Sequence, residues 1–60
     1  MDALVVYYWE SSTESGFDDK VVRFKGDKPS FDELTKFMKE CRYNHNRYLS
    51  VRVVNVIPLA

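Results

Sequence analysis

The chain has 60 residues, 45% of them hydrophobic and 15% aromatic, with nine Lys/Arg set against nine Asp/Glu. It is too apolar to be disordered, and its zero net charge argues against direct binding of nucleic acid or of an anionic membrane. The length allows one domain, and a domain of about 60 residues buries only about 60% of its unfolded surface, so a staple is expected.

The lone Cys41 cannot close an internal disulfide and fits a reducing compartment. No stretch approaches the roughly 18 apolar residues of a membrane span, and none reads as a signal peptide. Among the usual staples, oligomerisation is the one the composition leaves open.

Ala3–Trp9 reads as a strand of β-branched and aromatic residues. It has no polar alternation, since Leu4, Val6 and Tyr8 would face one way and Ala3, Val5, Tyr7 and Trp9 the other. A strand apolar on both faces belongs in the middle of a sheet. The polar stretch Ser11–Gly16 reads as a hairpin loop, and Phe17–Lys25 as the return strand. In that strand Val22 and Phe24 share a face, and the basic Arg23 and Lys25 guard an edge.

Ser30-Phe31-Asp32-Glu33 is a capping box, in which Ser30 caps the first turn and Glu33 bonds back to it. Phe31, Leu34, Phe37, Met38 and Cys41 recur at helical spacing, and Asn44 or Asn46 supplies a left-handed stop. The spacing predicts a helix from Phe31 to Tyr43. Arg47–Ile57 is the third strand, with Leu49, Val51, Val53 and Ile57 on one face. The expected fold is α+β: a β-β-α-β chain whose three-stranded antiparallel sheet has the order 2-1-3, with one helix on one face. The other face, carrying some of Tyr7, Trp9, Val54 and Val56, is left for a partner, which points to a homodimer.

Cys41 and His45 lie four residues apart and could ligate a metal, but the chain offers no further Cys or His to complete a zinc site. The plainer reading is a buried cysteine and a histidine at the helix end. Cys41 with His45 as a nucleophile–base pair has no third orienting group, and Asp18-Asp19 adjoins a loop where no burial would raise a carboxyl pKa. No catalytic residue, cofactor or metal is expected, and the chain reads as a non-enzyme. Aromatics with arginines (Tyr7, Trp9, Phe24, Arg23, Arg52) could form a stacking sheet for single-stranded nucleic acid. Against it stand the neutral charge and the acidic hairpin residues Glu10, Glu14, Asp18 and Asp19.

On a helical wheel Phe37 falls at the margin of the apolar stripe, beside Glu33 and Glu40 at spacings of four and three. Such a phenylalanine, partly exposed, can receive a partner's apolar knob while the carboxylates stand where phosphates would lie. The plainer reading makes Phe37 a core residue and the glutamates a solvated face.

From Leu4 to Ile57 this element order, length and helix start resemble the dimeric uracil-DNA glycosylase inhibitors of small Bacillus podophages. The resemblance implies a phage protein acting in the host cytoplasm, where it would bind host uracil-DNA glycosylase as a homodimer. In that family the helices of two protomers line an apolar slot. Helix aromatics there hold the leucine that the glycosylase drives into the DNA minor groove, and nearby carboxylates imitate the DNA backbone. Counting back from the third strand places the family's key phenylalanine on Phe37. Matching the helix caps places it on Leu34, with the second aromatic on Met38. The family's carboxylate beside that phenylalanine has no match in either register, and Glu33 and Glu40 would replace it by a different route. The resemblance thus implies partner-binding roles for Phe37, Leu34, Met38, Glu33 and Glu40. The same element order also looks like a small phage inhibitor of bacterial RNA polymerase.

Overall fold

The structure, a computed structural model, describes residues 1–44 and 47–59. The elements run β1 (Asp2–Ser11), β2 (Ser15–Arg23), α1 (Phe31–Asn44) and β3 (Tyr48–Pro58). The three strands form one antiparallel sheet in the order β2-β1-β3, the expected topology. None of the described helices is long and apolar enough to cross a membrane.

The hairpin closes on Ser11. Its hydroxyl accepts the amide N–H groups of Thr13 and Glu14 at 3.3 and 3.0 Å, and its own amide donates to the Glu14 carbonyl at 2.8 Å. A serine bonding to the backbone two and three residues on is a strong local turn signal. Past β2, the amide of Phe24 donates to the Met1 carbonyl at 2.7 Å, which fastens the Phe24 ring beneath the helix at 2% exposure.

The capping box forms as read. Ser30 Oγ accepts the Glu33 amide at 3.1 Å, and Glu33 Oε1 receives the Ser30 hydroxyl at 3.0 Å and its amide at 3.4 Å. Glu33 Oε2 also accepts the amide of Lys25 at 3.1 Å, so one carboxylate ties the incoming loop to the first turn. At the other end Asn44 lies within the helix, and no described non-glycine residue has positive φ. The left-handed stop expected at Asn44 is therefore absent there. The alternative, Asn46, and the candidate ligand and base His45 lie outside the described residues.

The core joins Ala3, Val5 and Tyr7 of β1 to Phe24, Phe37, Cys41 and Val51. Tyr7 meets Phe37 edge-on, with ring centroids 5.5 Å apart, and Trp9 stacks on Tyr48 at 4.8 Å. Gly16, paired with Trp9, makes room for the indole: a Cβ there would lie 3.2 Å from the Trp9 ring.

The third strand departs from simple alternation. Its register against β1 shifts between Val6 and Tyr7 and again between Glu10 and Ser11, so Val54 and Leu49 have no opposite residue in β1. These are β-bulges. After Val54 the facing reverses: Val56 joins Val51 and Val53 on the helix side, while Ile57 pairs with Leu4 on the far side. The expectation that Leu49, Val51, Val53 and Ile57 share a face is corrected for this reason, and Leu49 is 63% exposed.

Candidate protein-binding surfaces

Two surfaces stand apart from the core. The first is a groove between α1 and β2. The helix packs over β3 and makes no comparable contact with β2, so the helix-side residues of β2 are left to line a cleft of about 700 Å³. Val22, Phe24 and Phe37 supply its apolar lining, and the exposed Lys20, Lys36 and Glu40 supply its charge. On α1 the lining residues Glu33, Lys36, Phe37 and Glu40 follow the spacing of one helix flank.

This groove brings together three of the five residues singled out on the helix. Phe37 lines it but is only 7% exposed, with its ring in the core against Tyr7. The expectation of a partly exposed side chain is corrected: the wheel margin where Phe37 sits is covered by β1, because Tyr7 points up at it. Glu33 also lines the groove, but its carboxylate is occupied by the Lys25 amide and by Ser30. Those bonds, the Lys25 amide foremost, hold its carboxyl below the usual carboxylate range. Glu40 is exposed on the rim. Leu34 and Met38 do not line the groove; both are half-buried and pack against the core.

The second surface is the face of the sheet away from the helix. The assignment of Tyr7 and Val56 to that face is corrected, because Tyr7 is 4% exposed beneath α1 and Val56 pairs with Val5 on the helix side. Trp9 is half-buried against the core and Tyr48; Val54, on its bulge, is 50% exposed. The open face instead carries Leu4, Val6 and Tyr8 of β1, flanked by Phe17 and Val21 of β2 and Ile57 of β3. Phe17 is 69% and Val21 57% exposed, and the Phe17 ring lies 5.2 Å from that of Tyr8. Scattered exposed apolar residues are ordinary on a protein surface, whereas a contiguous patch marks an interaction site. The signal in the sequence was the alternation of Phe17 and Val21 with Asp18 and Lys20.

The five residues named for a single-stranded nucleic-acid platform do not share one face: Tyr7 and Trp9 lie on the helix side of the sheet and Arg52 on the other. Tyr7 and Phe24 are buried in the core, and Arg23 is paired with Asp2 at 2.9 Å. Cys41 is buried, and burial pushes its thiol up, away from the thiolate a nucleophile needs. Among the described residues no group of three His, Cys, Asp or Glu side chains could hold a metal ion.

Comparison with protein-family models, curated proteins and solved structures finds no match to this chain.

Proposed function

We propose that this chain is a non-catalytic binding protein of the phage inhibitor type, acting on a host DNA-processing enzyme, with uracil-DNA glycosylase as its target. The observation that carries the reading is the groove between α1 and β2, where an apolar lining of Val22, Phe24 and Phe37 adjoins the carboxylates of Asp32, Glu33 and Glu40 among the basic Lys20, Arg23, Lys25 and Lys36. A cleft of that composition suits one large apolar side chain presented on a loop, the form in which a glycosylase presents its DNA-wedging leucine. Glu40 on the rim and Asp18 on the helix side of β2 offer negative charge to an enzyme surface built to meet phosphates, while Glu10 and Asp19 lie on the opposite face of the sheet. The reading differs from a shared slot in one respect: Leu34 and Met38 support the groove from the core side, and the lining comes from β2 as well as the helix.

The test is uracil excision from a labelled oligonucleotide by bacterial uracil-DNA glycosylases, with and without this protein. Loss of cleavage at near-equimolar protein is the expected result, and Glu40→Lys should weaken inhibition about fivefold or more, since it reverses a rim charge. Unchanged cleavage with enzymes from several bacteria would overturn the target.

A further inference from the structure

The main chain of β2 borders the groove with its free edge. At one end of the β1–β2 ladder the Phe24 amide donates to the Met1 carbonyl at 2.7 Å, and at the other the Ser11 amide donates to the Glu14 carbonyl at 2.8 Å. Bonded pairs alternate with non-bonded ones in an antiparallel ladder. With the unbroken register between those ends, the even-numbered residues of β2 bond to β1. The odd-numbered Phe17, Asp19, Val21 and Arg23 turn their N–H and C=O groups outward, and Lys25 continues that series. The chain's own carboxylates take two of the outward amides: Asp18 Oδ1 accepts Asp19 at 2.8 Å, and Glu33 Oε2 accepts Lys25 at 3.1 Å. Between them the amides and carbonyls of Val21 and Arg23 have no partner among the described residues.

The other edge is blunted, because β3 carries two bulges. On β2 the Arg23 guanidinium is drawn over β1 to Asp2, at 2.9 and 3.4 Å, and does not cover the edge. All six residues from Lys20 to Lys25 line the cleft. Alternate side chains of a strand point to opposite faces, so six in a row border one cleft only where it reaches round the strand's edge. We infer that the groove takes an extended segment of a partner protein as a fourth strand, antiparallel to β2, with a large apolar side chain opposite Val22 and an acidic one opposite Lys20.

Opposite residues of such a pair share a face. The side chain opposite Val22 therefore enters over the apolar lining of Val22, Phe24 and Phe37. The one opposite Lys20 comes to its ammonium, with Lys36 on the helix flank. Among the described residues neither lysine has an ion pair, whereas Arg23 is held by Asp2 and the Glu33 carboxylate by backbone amides. The unpaired cations of the groove, Lys20, Lys25 and Lys36, outnumber the carboxylates left free, Asp32 and Glu40. An acidic residue two places from an apolar anchor is the complement. This strand shares the groove with the glycosylase reading but stands without it, and uracil excision and peptide binding fail separately.

The probe is an end-blocked, fluorescein-labelled peptide running serine-threonine-leucine-valine-glutamate-threonine-serine, titrated with the full chain and followed by anisotropy. Its leucine falls opposite Val22, its valine opposite Val21 and its glutamate opposite Lys20. The dissociation constant should lie below about 1 mM. N-methylation of the valine nitrogen, which faces β2, should weaken binding about tenfold or more. The same change at the leucine nitrogen, which faces away, should alter it less than about threefold. Lys20→Glu should weaken binding about fivefold or more, and a peptide with lysine in place of glutamate should recover it. Val21→Pro removes an N–H that β1 does not use, so it should fold by far-UV circular dichroism and lose the peptide. Four results would each overturn the inference: no binding at about 1 mM, equal losses for the two methylated peptides, full binding by a folded Val21→Pro or by Lys20→Glu, or slow hydrogen exchange at the Val21 and Arg23 amides before peptide is added. The last is what a second copy already paired to this edge would give.

Discussion

Phe37 belongs to the core and lines the groove between α1 and β2, and its truncation separates its part in the fold from its part in the proposed binding. In Phe37→Ala the deleted ring leaves a cavity between α1 and Tyr7, and buried Phe→Ala changes cost about 3–5 kcal/mol. Part of that is the edge-on contact with Tyr7 at 5.5 Å, a type of pair worth about 0.5–1.5 kcal/mol beyond its burial. The core of so small a domain rarely supplies more than about 3–5 kcal/mol in all. Phe37→Ala is therefore expected to be largely unfolded at 25 °C. Phe37→Leu keeps most of the apolar volume and should cost about 1–2 kcal/mol, leaving the fold intact. Urea titrations followed by far-UV circular dichroism and by Trp9 fluorescence measure both. A loss of the proposed inhibition in the alanine variant would then report folding, and only the leucine variant would report on the groove. An alanine variant within about 1 kcal/mol of the parent would refute the reasoning, because a ring in the core cannot be removed so cheaply.

Tyr7 is pushed up to about 12, first by burial and then by the neighbouring Asp18. Its neutral form is the one the fold favours, so its contribution is fully present below pH 10 and is lost as pH rises from 10 toward 12, on the order of 2–3 kcal/mol. Tyr7→Phe should flatten that fall relative to the parent in denaturation measured across the window; equal slopes would contradict it. Ser30→Ala removes the cap and should lower stability by about 1 kcal/mol, a drop of roughly 4–8 °C in the melting temperature, read by thermal circular dichroism. Cys41, buried with its thiol raised, should react with iodoacetamide at least about a hundredfold more slowly in the native protein than in urea.

Much of this fold was legible because its signals are local. The capping box of Ser30 and Glu33 places the helix start, and an apolar run such as Ala3–Trp9 has only one place in a three-stranded sheet. The face of that strand turned toward the helix was not legible. Both of its parities are apolar, and the choice between them rests on long-range partners: Gly16 yielding space to Trp9, and Phe37 descending on Tyr7. The groove was legible in part. The spacing of Glu33, Phe37 and Glu40 identified one helix flank, but a wheel carries no information on how far that flank overhangs the sheet. The second wall, Val22 and Phe24, follows from the helix packing over β3 and away from β2, which depends on the path of the loop between β2 and α1.

The bulge at Val54 is the point where local pattern misleads and pairing decides, and its consequences can be worked through. Read without a bulge, the third strand puts Val51, Val53, Asn55 and Ile57 on one face and Val54 and Val56 on the other. That would bury an asparagine amide under the helix without a partner. The register shift moves Asn55 to the open face opposite Val6 and returns Val56 to the core opposite Val5, so the extra residue relieves the polar burial cost. Deleting Val54 distinguishes the two readings. With the bulge present in the parent, the deletion leaves Val53 opposite Tyr7 and Asn55 opposite Val6, regularises the ladder, and removes a side chain already 50% exposed. The shortened chain should fold with stability within about 1 kcal/mol of the parent, since surface changes away from core and caps are small. With a regular strand in the parent, the same deletion would bring Asn55 out from under the helix and turn Val56 in, and would stabilise the chain by more than about 1 kcal/mol. A deletion variant stabilised beyond about 1 kcal/mol, or one that shows no cooperative urea transition, would therefore refute the bulge, and with it the placement of Ile57 on the open face.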